Sequence, residues 1–182
     1  MSRLFSMMRH DAAAQSLSAH AVPGLRRAVV ERIEAEGYIL TWLSGPVRSE
    51  SAPARAAAFM AGKERGAYFP YEVGDEVVAG FEDGNVDLPI ILGGLWSSED
   101  PPPPDADTSD SNNTRTIVSR AGAELTFDDT KGETGVLLRS AGGIEIRFDD
   151  KAKSLTIQAG PKTRIVLDAK GVTIVGAKIN LN

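Results

Sequence analysis

The sequence predicts an all-β protein in two parts, a small Greek-key barrel followed by a stack of short, repeating strands. Three observations predict this. Segments rich in β-branched and aromatic residues are cut at short intervals by Gly, Pro, Asp or Asn. Four consecutive prolines, Pro101 to Pro104, lead into a polar tract that cannot bury a core, which marks a change of regime. Beyond Arg115, strand-like segments recur about every ten residues with the same turn chemistry, a period that suits a β-solenoid or β-prism.

Composition bounds the answer further. The chain has 182 residues, 42% apolar and 25% charged, enough for one or two small domains. It has no cysteine, which removes disulfide frameworks, thiol nucleophiles and thiolate metal sites together. No apolar run approaches the ~20 residues of a membrane span, and Leu4-Phe5 with Met7-Met8 is too short for a signal-peptide core. Synthesis in the cytoplasm is therefore expected, with any export as part of a larger assembly. The net charge of −5 resides in the first half, where residues 1–100 hold nine Lys and Arg against fourteen Asp and Glu; residues 101–182 hold eleven of each. That sign opposes the electropositive groove of a single-strand nucleic-acid binder.

Residues 1–21 show no sustained period and are expected to form an N-terminal arm. A barrel is expected over 22–96. Arg27 to Ile33 and Tyr38 to Leu43 are its first two strands, joined through Glu34-Ala35-Glu36-Gly37. Ala54 to Met60 is ambiguous, since alanine propensity alone calls it helix, although it is short and bounded by Pro53 and Gly62. Val77 to Phe81 and Ile90 to Gly93 follow as strands. Residues 97–114 are a linker, stiff through the prolines and looser after them.

Residues 115–182 carry the repeat. Its strands are Thr116–Val118, Glu124–Phe127, Val136–Leu138, Ile144–Phe148, Leu155–Ile157, Arg164–Leu167, Val172–Val175 and Lys178–Leu181. Ile144, Ile146 and Phe148 alternate with Glu145 and Arg147, as in a strand with one wet face. Phe127-Asp128-Asp129-Thr130 is echoed by Phe148-Asp149-Asp150-Lys151. Each strand offers only two or three apolar residues, so a single chain of this length buries too little to stand alone. Three chains about one axis solve this, because each ring of Ile or Leu is then closed by its two equivalents. Seven or eight strands at ~4.8 Å per layer give a shaft on the order of 35 Å.

The run from Met60 to Trp96 contains a glycine-rich loop, an aromatic-proline step at Tyr68-Phe69-Pro70, and the turn Glu72-Val73-Gly74-Asp75-Glu76-Val77. The turn Glu82-Asp83-Gly84-Asn85, the strand Pro89-Ile90-Ile91-Leu92-Gly93 and Leu95-Trp96 complete it. In this order the parts resemble the OB-fold of contractile-tail spikes, the phage baseplate assembly protein V and VgrG-type proteins. The likeness continues through Asn112-Asn113-Thr114-Arg115 and Glu124 to Thr130, and covers roughly residues 22–182. It implies a third barrel strand at Ala54–Met60, an N-terminal OB-fold and a C-terminal trimeric intertwined β-helix. It further implies a homotrimeric central spike of a contractile tail or injection machine, assembled in a phage tail or tail-like particle, which punctures a target envelope mechanically and meets the target membrane only then.

Family parts that the sequence does not match are informative as expectations. The gap between barrel and shaft is only the linker, so a lysozyme domain is not expected there. With about twenty residues before the barrel, a separate hub or baseplate protein is expected to seat the trimer. The end Lys178-Ile179-Asn180-Leu181-Asn182 carries no histidine motif for iron. It is expected to bind a PAAR-type tip protein, with no metal or cofactor held by the spike itself.

Catalytic readings are weak throughout, and no enzyme is expected. Asp128-Asp129 and Asp149-Asp150 are adjacent carboxylates that point apart and sit where aspartate makes turns. Gly62-Lys63 fails as a phosphate loop, since Ala57 stands where the first glycine belongs and Glu64 where Ser or Thr is needed. The only histidines, His10 and His20, lie in the N-terminal arm. The competing reading is an OB-fold binding module for single-stranded nucleic acid or oligosaccharide on a trimerisation stalk, with Trp42, Tyr68, Phe69 and Tyr71 as stacking residues.

Overall fold

A computed structural model describes residues 24–43, 49–104 and 106–180. The expected N-terminal arm lies outside these residues. The described residues are all-β, apart from a single 3-10 turn at Glu82–Gly84, and form two compact units that part between Pro101 and Pro102.

The first unit is built from β1 (Arg26–Glu34), β2 (Gly37–Trp42), β3 (Arg55–Ala56), β4 (Ala61–Gly62), β5 (Arg65–Gly66), β6 (Glu76–Phe81) and β7 (Pro89–Gly94). Five of these form one sheet in the order β2-β1-β6-β7-β3, with β3 parallel to β7 and the other pairs antiparallel. The two edges then meet. Tyr38 at the start of β2 exchanges backbone hydrogen bonds of 2.9 and 2.8 Å with Ala54, the residue before β3. The result is a five-stranded Greek-key barrel, the OB-fold.

Closure needs Gly37. A Cβ there would lie 2.4 Å from the Ala54 carbonyl oxygen, and the residue's φ of +147° is open chiefly to glycine. Inside the barrel, Ala28, Val30, Leu40, Trp42, Ala54, Val77, Ala79 and Ile91 make one buried cluster, with Tyr38, Tyr71 and Phe81 packed against it. A bulge at Glu31 in β1 is tied down by the Thr41 hydroxyl, which donates to the Glu31 carboxylate at 3.1 Å.

The ambiguous segment Ala54–Met60 is neither a helix nor a full strand. Only Arg55 and Ala56 form a strand, against β7, with Ala54 bridged to Tyr38 just before them, and the chain then leaves to make the small β4–β5 hairpin. Pairing with β7 on one side and Tyr38 on the other overrides alanine's helix propensity, which amounts to only a few tenths of a kcal/mol per residue against most neighbours.

The second unit is a seven-stranded antiparallel meander: β8 (Thr114–Val118), β9 (Glu124–Asp128), β10 (Gly135–Arg139), β11 (Ile144–Asp149), β12 (Ser154–Ala159), β13 (Arg164–Asp168) and β14 (Gly171–Val175). At ~4.8 Å per strand it spans about 30 Å. The expected eighth strand is not formed by its described residues: Lys178–Asn180 follow β14 without pairing to it. Ile179 instead joins Ile157, Ile165 and Ile174 around a groove of about 230 Å³.

The turns alternate in kind. At one end of the meander Asp128, Asp149 and Asp168 accept backbone N–H bonds from Thr130, Ala152 and Lys170 at 2.7–2.8 Å. At the other, the Ser119 and Ser140 hydroxyl oxygens accept from the amides of Ala123 and Ile144, with Gly122 and Gly143 at positive φ. The linker's polar half has local order as well. Asp107 accepts from the Ser109 amide and hydroxyl and from the Asn113 amide, and these bonds hold its carboxyl below the usual range.

Candidate functional site

Every pairing in the meander is in simple antiparallel register, so the side-chain period of two is kept from one strand to the next. Two columns of side chains consequently run across one face of all seven strands. The first is Ile117, Leu125, Leu138, Ile146, Ile157, Ile165 and Ile174. The second is Arg115, Phe127, Val136, Phe148, Leu155, Leu167 and Val172. Apart from Arg115 at the linker end, the face is apolar throughout.

This face is open. Ile117, Phe127, Leu138, Phe148, Val172 and Ile174 are all exposed, and none of the column residues is buried. The opposite, polar face is the better covered one, for it holds Leu137 and Glu124, the two side chains buried among the unit's described residues. Glu124 is satisfied by Arg139 at 3.2 Å and by the Thr126 hydroxyl; Arg139 also holds Glu145 at 2.9 Å, and Thr126 meets Thr116 at 2.7 Å. A hydroxyl and ion ladder thus fastens β8 to β11 from behind. An apolar surface of this extent, on a sheet whose polar side is already satisfied, is a protein-contact surface. Covering thirteen such side chains is worth on the order of 1 kcal/mol each, as an upper estimate, which is more than a small domain's net stability.

Other sequence candidates take structural positions. Asp128 has its carboxyl held below the usual range, first by its bond with the Thr130 side chain and then by the Thr130 amide, the wrong direction for a general acid. Asp129 pairs with Arg115 at 3.1 Å, and Asp150 accepts the Thr134 hydroxyl at 2.8 Å. The four stacking candidates do not form one platform. Trp42 is core, packed against Phe81 at 5.3 Å, and Tyr71 makes an edge contact with Tyr38 at 5.9 Å. Of the four, only Tyr68 and Phe69 are exposed.

Of the expected tip residues, Lys178, Ile179 and Asn180 are exposed beside the last strand, while Leu181 and Asn182 lie outside the described residues. Lys63 sits on the turn of the β4–β5 hairpin, where Glu64 has φ of +56°, and Arg65 begins β5 beside it. Among the described residues no group of three or more His, Asp or Glu could hold a metal, and no helix is long and apolar enough to cross a membrane.

A closed OB barrel followed by a meander with one bare apolar face defines a structural protein built to associate through its second unit. Residues 39–96 match the injector OB domain of type VI secretion systems and phage baseplates, and residues 115–182 match the phage baseplate V C-terminal trimerisation domain. Between them the two matches cover most of the chain, which belongs to the baseplate V and VgrG-type family of phage baseplate and injector proteins. Its second unit is therefore a trimerisation domain, which supports a homotrimer. The family is a structural one and suggests incorporation into a phage tail-like particle. No curated protein matches the chain.

Proposed function

We propose that the protein is the central spike of a contractile tail or injection machine and acts by mechanical puncture of the target envelope. The observation that carries this reading is the continuous apolar face of β8–β14. Three copies wound about one axis place these columns inside, so that each layer is a ring of three Ile, Leu, Val or Phe side chains around a narrow core. Backbone hydrogen bonding along the stack resists compression along the axis, and interlocked chains resist separation. Both properties suit a shaft that is driven by sheath contraction.

In this reading the OB-fold end meets a separate hub or baseplate protein, and the end at Lys178–Asn182 carries a separate PAAR-type tip protein. The work requires no catalytic step. Imaging of particles with and without the chain tests the proposal. Wild-type particles are expected to show density for the spike on the tube axis below the baseplate, and particles bearing Ile146→Asp are expected to lack it and to lose penetration of target cells. Full penetration by such particles would overturn the reading.

A further inference from the structure

The stretch 55–70 leaves the barrel after β3 and returns at Tyr71 with every residue exposed except the half-buried Ala67. Within it, β4 and β5 pair through only Ala61↔Gly66 and Gly62↔Arg65, extended by a 3.0 Å bond from the Ala67 amide to the Met60 carbonyl. At the base, Phe59 and Phe69 stack with ring centroids 6.5 Å apart. Phe59 is 84% exposed and the neighbouring Tyr68 85%. A two-stranded hairpin is marginal alone in water, and aromatic rings displayed this openly mark a surface that another protein covers. The tip of this arm carries Lys63 and, at the start of β5, Arg65, neither of which forms an ion pair among the described residues, with only Glu64 between them to offset the charge.

The same unit has a complementary groove. Tyr71, Asp75, Glu76, Leu95, Trp96 and Asp100 are among the residues that line a space of about 300 Å³. Glu76 is already paired with Arg27 at 3.0 Å, whereas Asp75 and Asp100 have no cation beside them among the described residues. Trp96 is 69% exposed, so the groove presents an indole wall and two uncompensated carboxylates.

We propose that the arm of one chain docks into this groove on a second copy of the chain, with Phe59 and Phe69 against Tyr71 and Trp96, and Lys63 and Arg65 facing Asp75 and Asp100. The proposal rests on the homotrimer. Arm and groove are different patches of one surface, so the contact is heterologous, and three such contacts close a ring with the symmetry that the trimerisation domain imposes. Once the second units join, the three barrels are held at millimolar or higher effective concentration, which lets a contact too weak to form between free barrels become occupied.

Trypsin cleaves after Lys63 and Arg65, and the absence of cysteine makes engineered thiols unique reporters. On the full chain, with native mass measured in parallel, cleavage in the arm is expected to be at least about tenfold slower than in Phe59→Ser/Phe69→Ser, whose substitutions leave the buried core untouched. A bis-maleimide linker on Lys63→Cys/Asp100→Cys is expected to give two- and three-chain species on a denaturing gel, and either single variant none. Rapid cleavage of the arm, or no linked species, in a protein whose native mass is three chains would overturn the docking while leaving the trimer in place, and would hand the arm to a different protein such as the hub. A native mass of one chain would overturn both.

Discussion

Arg139 Nη1 lies 3.2 Å from the carboxylate of Glu124, its direct neighbour across the β9–β10 pair, and Glu124 is the charged side chain that the described residues bury. The pair closes the polar face and leaves the apolar face as the open side of the sheet. Removing the arginine strands a buried carboxylate, which is a larger penalty than loss of the pair as such. Arg139→Met is expected to destabilise the folded chain by about 2 kcal/mol, below the range for fully buried pairs because water reaches the guanidinium. Urea unfolding measures it. The double variant Glu124→Leu/Arg139→Met should recover part of the loss, and equal losses would show that the buried charge is not the cause.

Ile146 stands in the first apolar column between Leu138 and Ile157. Ile146→Asp in a trimer would bring three carboxylates together in an apolar ring, so assembly is expected to fail. Thr173→Asp, on the polar face of β14, should leave assembly intact. Light scattering decides: a mass of three chains for Ile146→Asp would mean that this column is not the interface.

A fragment that ends near Asp100 keeps the whole buried cluster of the barrel, from Ala28 to Ile91. It is expected to retain its β circular dichroism and thermal transition while losing obligate trimerisation, since the open apolar columns all lie in the second unit. A fragment as trimeric and heat-resistant as the full chain would place the main interface in the barrel.

Asp107 has a lowered pKa, chiefly through its bond with the Ser109 side chain, so its contribution to linker order is present above the ordinary carboxylate pKa and is lost as pH falls through the lower folded value. Amide exchange at Ser109 and Asn113 is expected to show a loss of protection in acid, below the usual carboxylate range, relative to reference amides in the barrel. Asp107→Asn should lack that acid-dependent step. A step that persists in the variant belongs to another group.

The tip assignment predicts that deletion of residues 178–182 abolishes capture of a PAAR-type tip protein and leaves the trimer's mass unchanged. Asn and Lys are poor transition-metal ligands, and the purified chain is expected to contain no stoichiometric iron or zinc by elemental analysis. Capture that survives the deletion, or tightly bound metal in the spike alone, would count against this account of the apex.

Much of the architecture was legible in the chain because its cause is local. The alternation of Ile144, Ile146 and Phe148 with Glu145 and Arg147 is a property of one strand, and it identifies the face that must be covered wherever that strand is placed. The Asp and Ser turns are equally local, since each side chain caps a backbone amide two to four residues away. The family resemblance supplied the OB-fold and agreed with the trimer that the thin apolar strands called for, and neither fixed the order in which the barrel strands pair.

Long-range pairing decided the rest. Ala54–Met60 carries no local signal that separates helix from strand, and its two paired residues are strand because β7 and Tyr38 hold the adjoining backbone groups. Trp42 reads as a ligand platform in sequence and is core in the fold, because the register of β2 against β1 turns it inward beside Phe81. Lys178–Asn180 has the pattern of a strand yet makes no ladder, and Ile179 lies beside the apolar groove instead of pairing with β14. The arm and groove of the barrel were beyond reach for the same reason. Phe59 and Phe69 meet only once the β4–β5 hairpin forms, and Asp75 and Asp100 line one groove only in the folded barrel, so composition cannot report either arrangement.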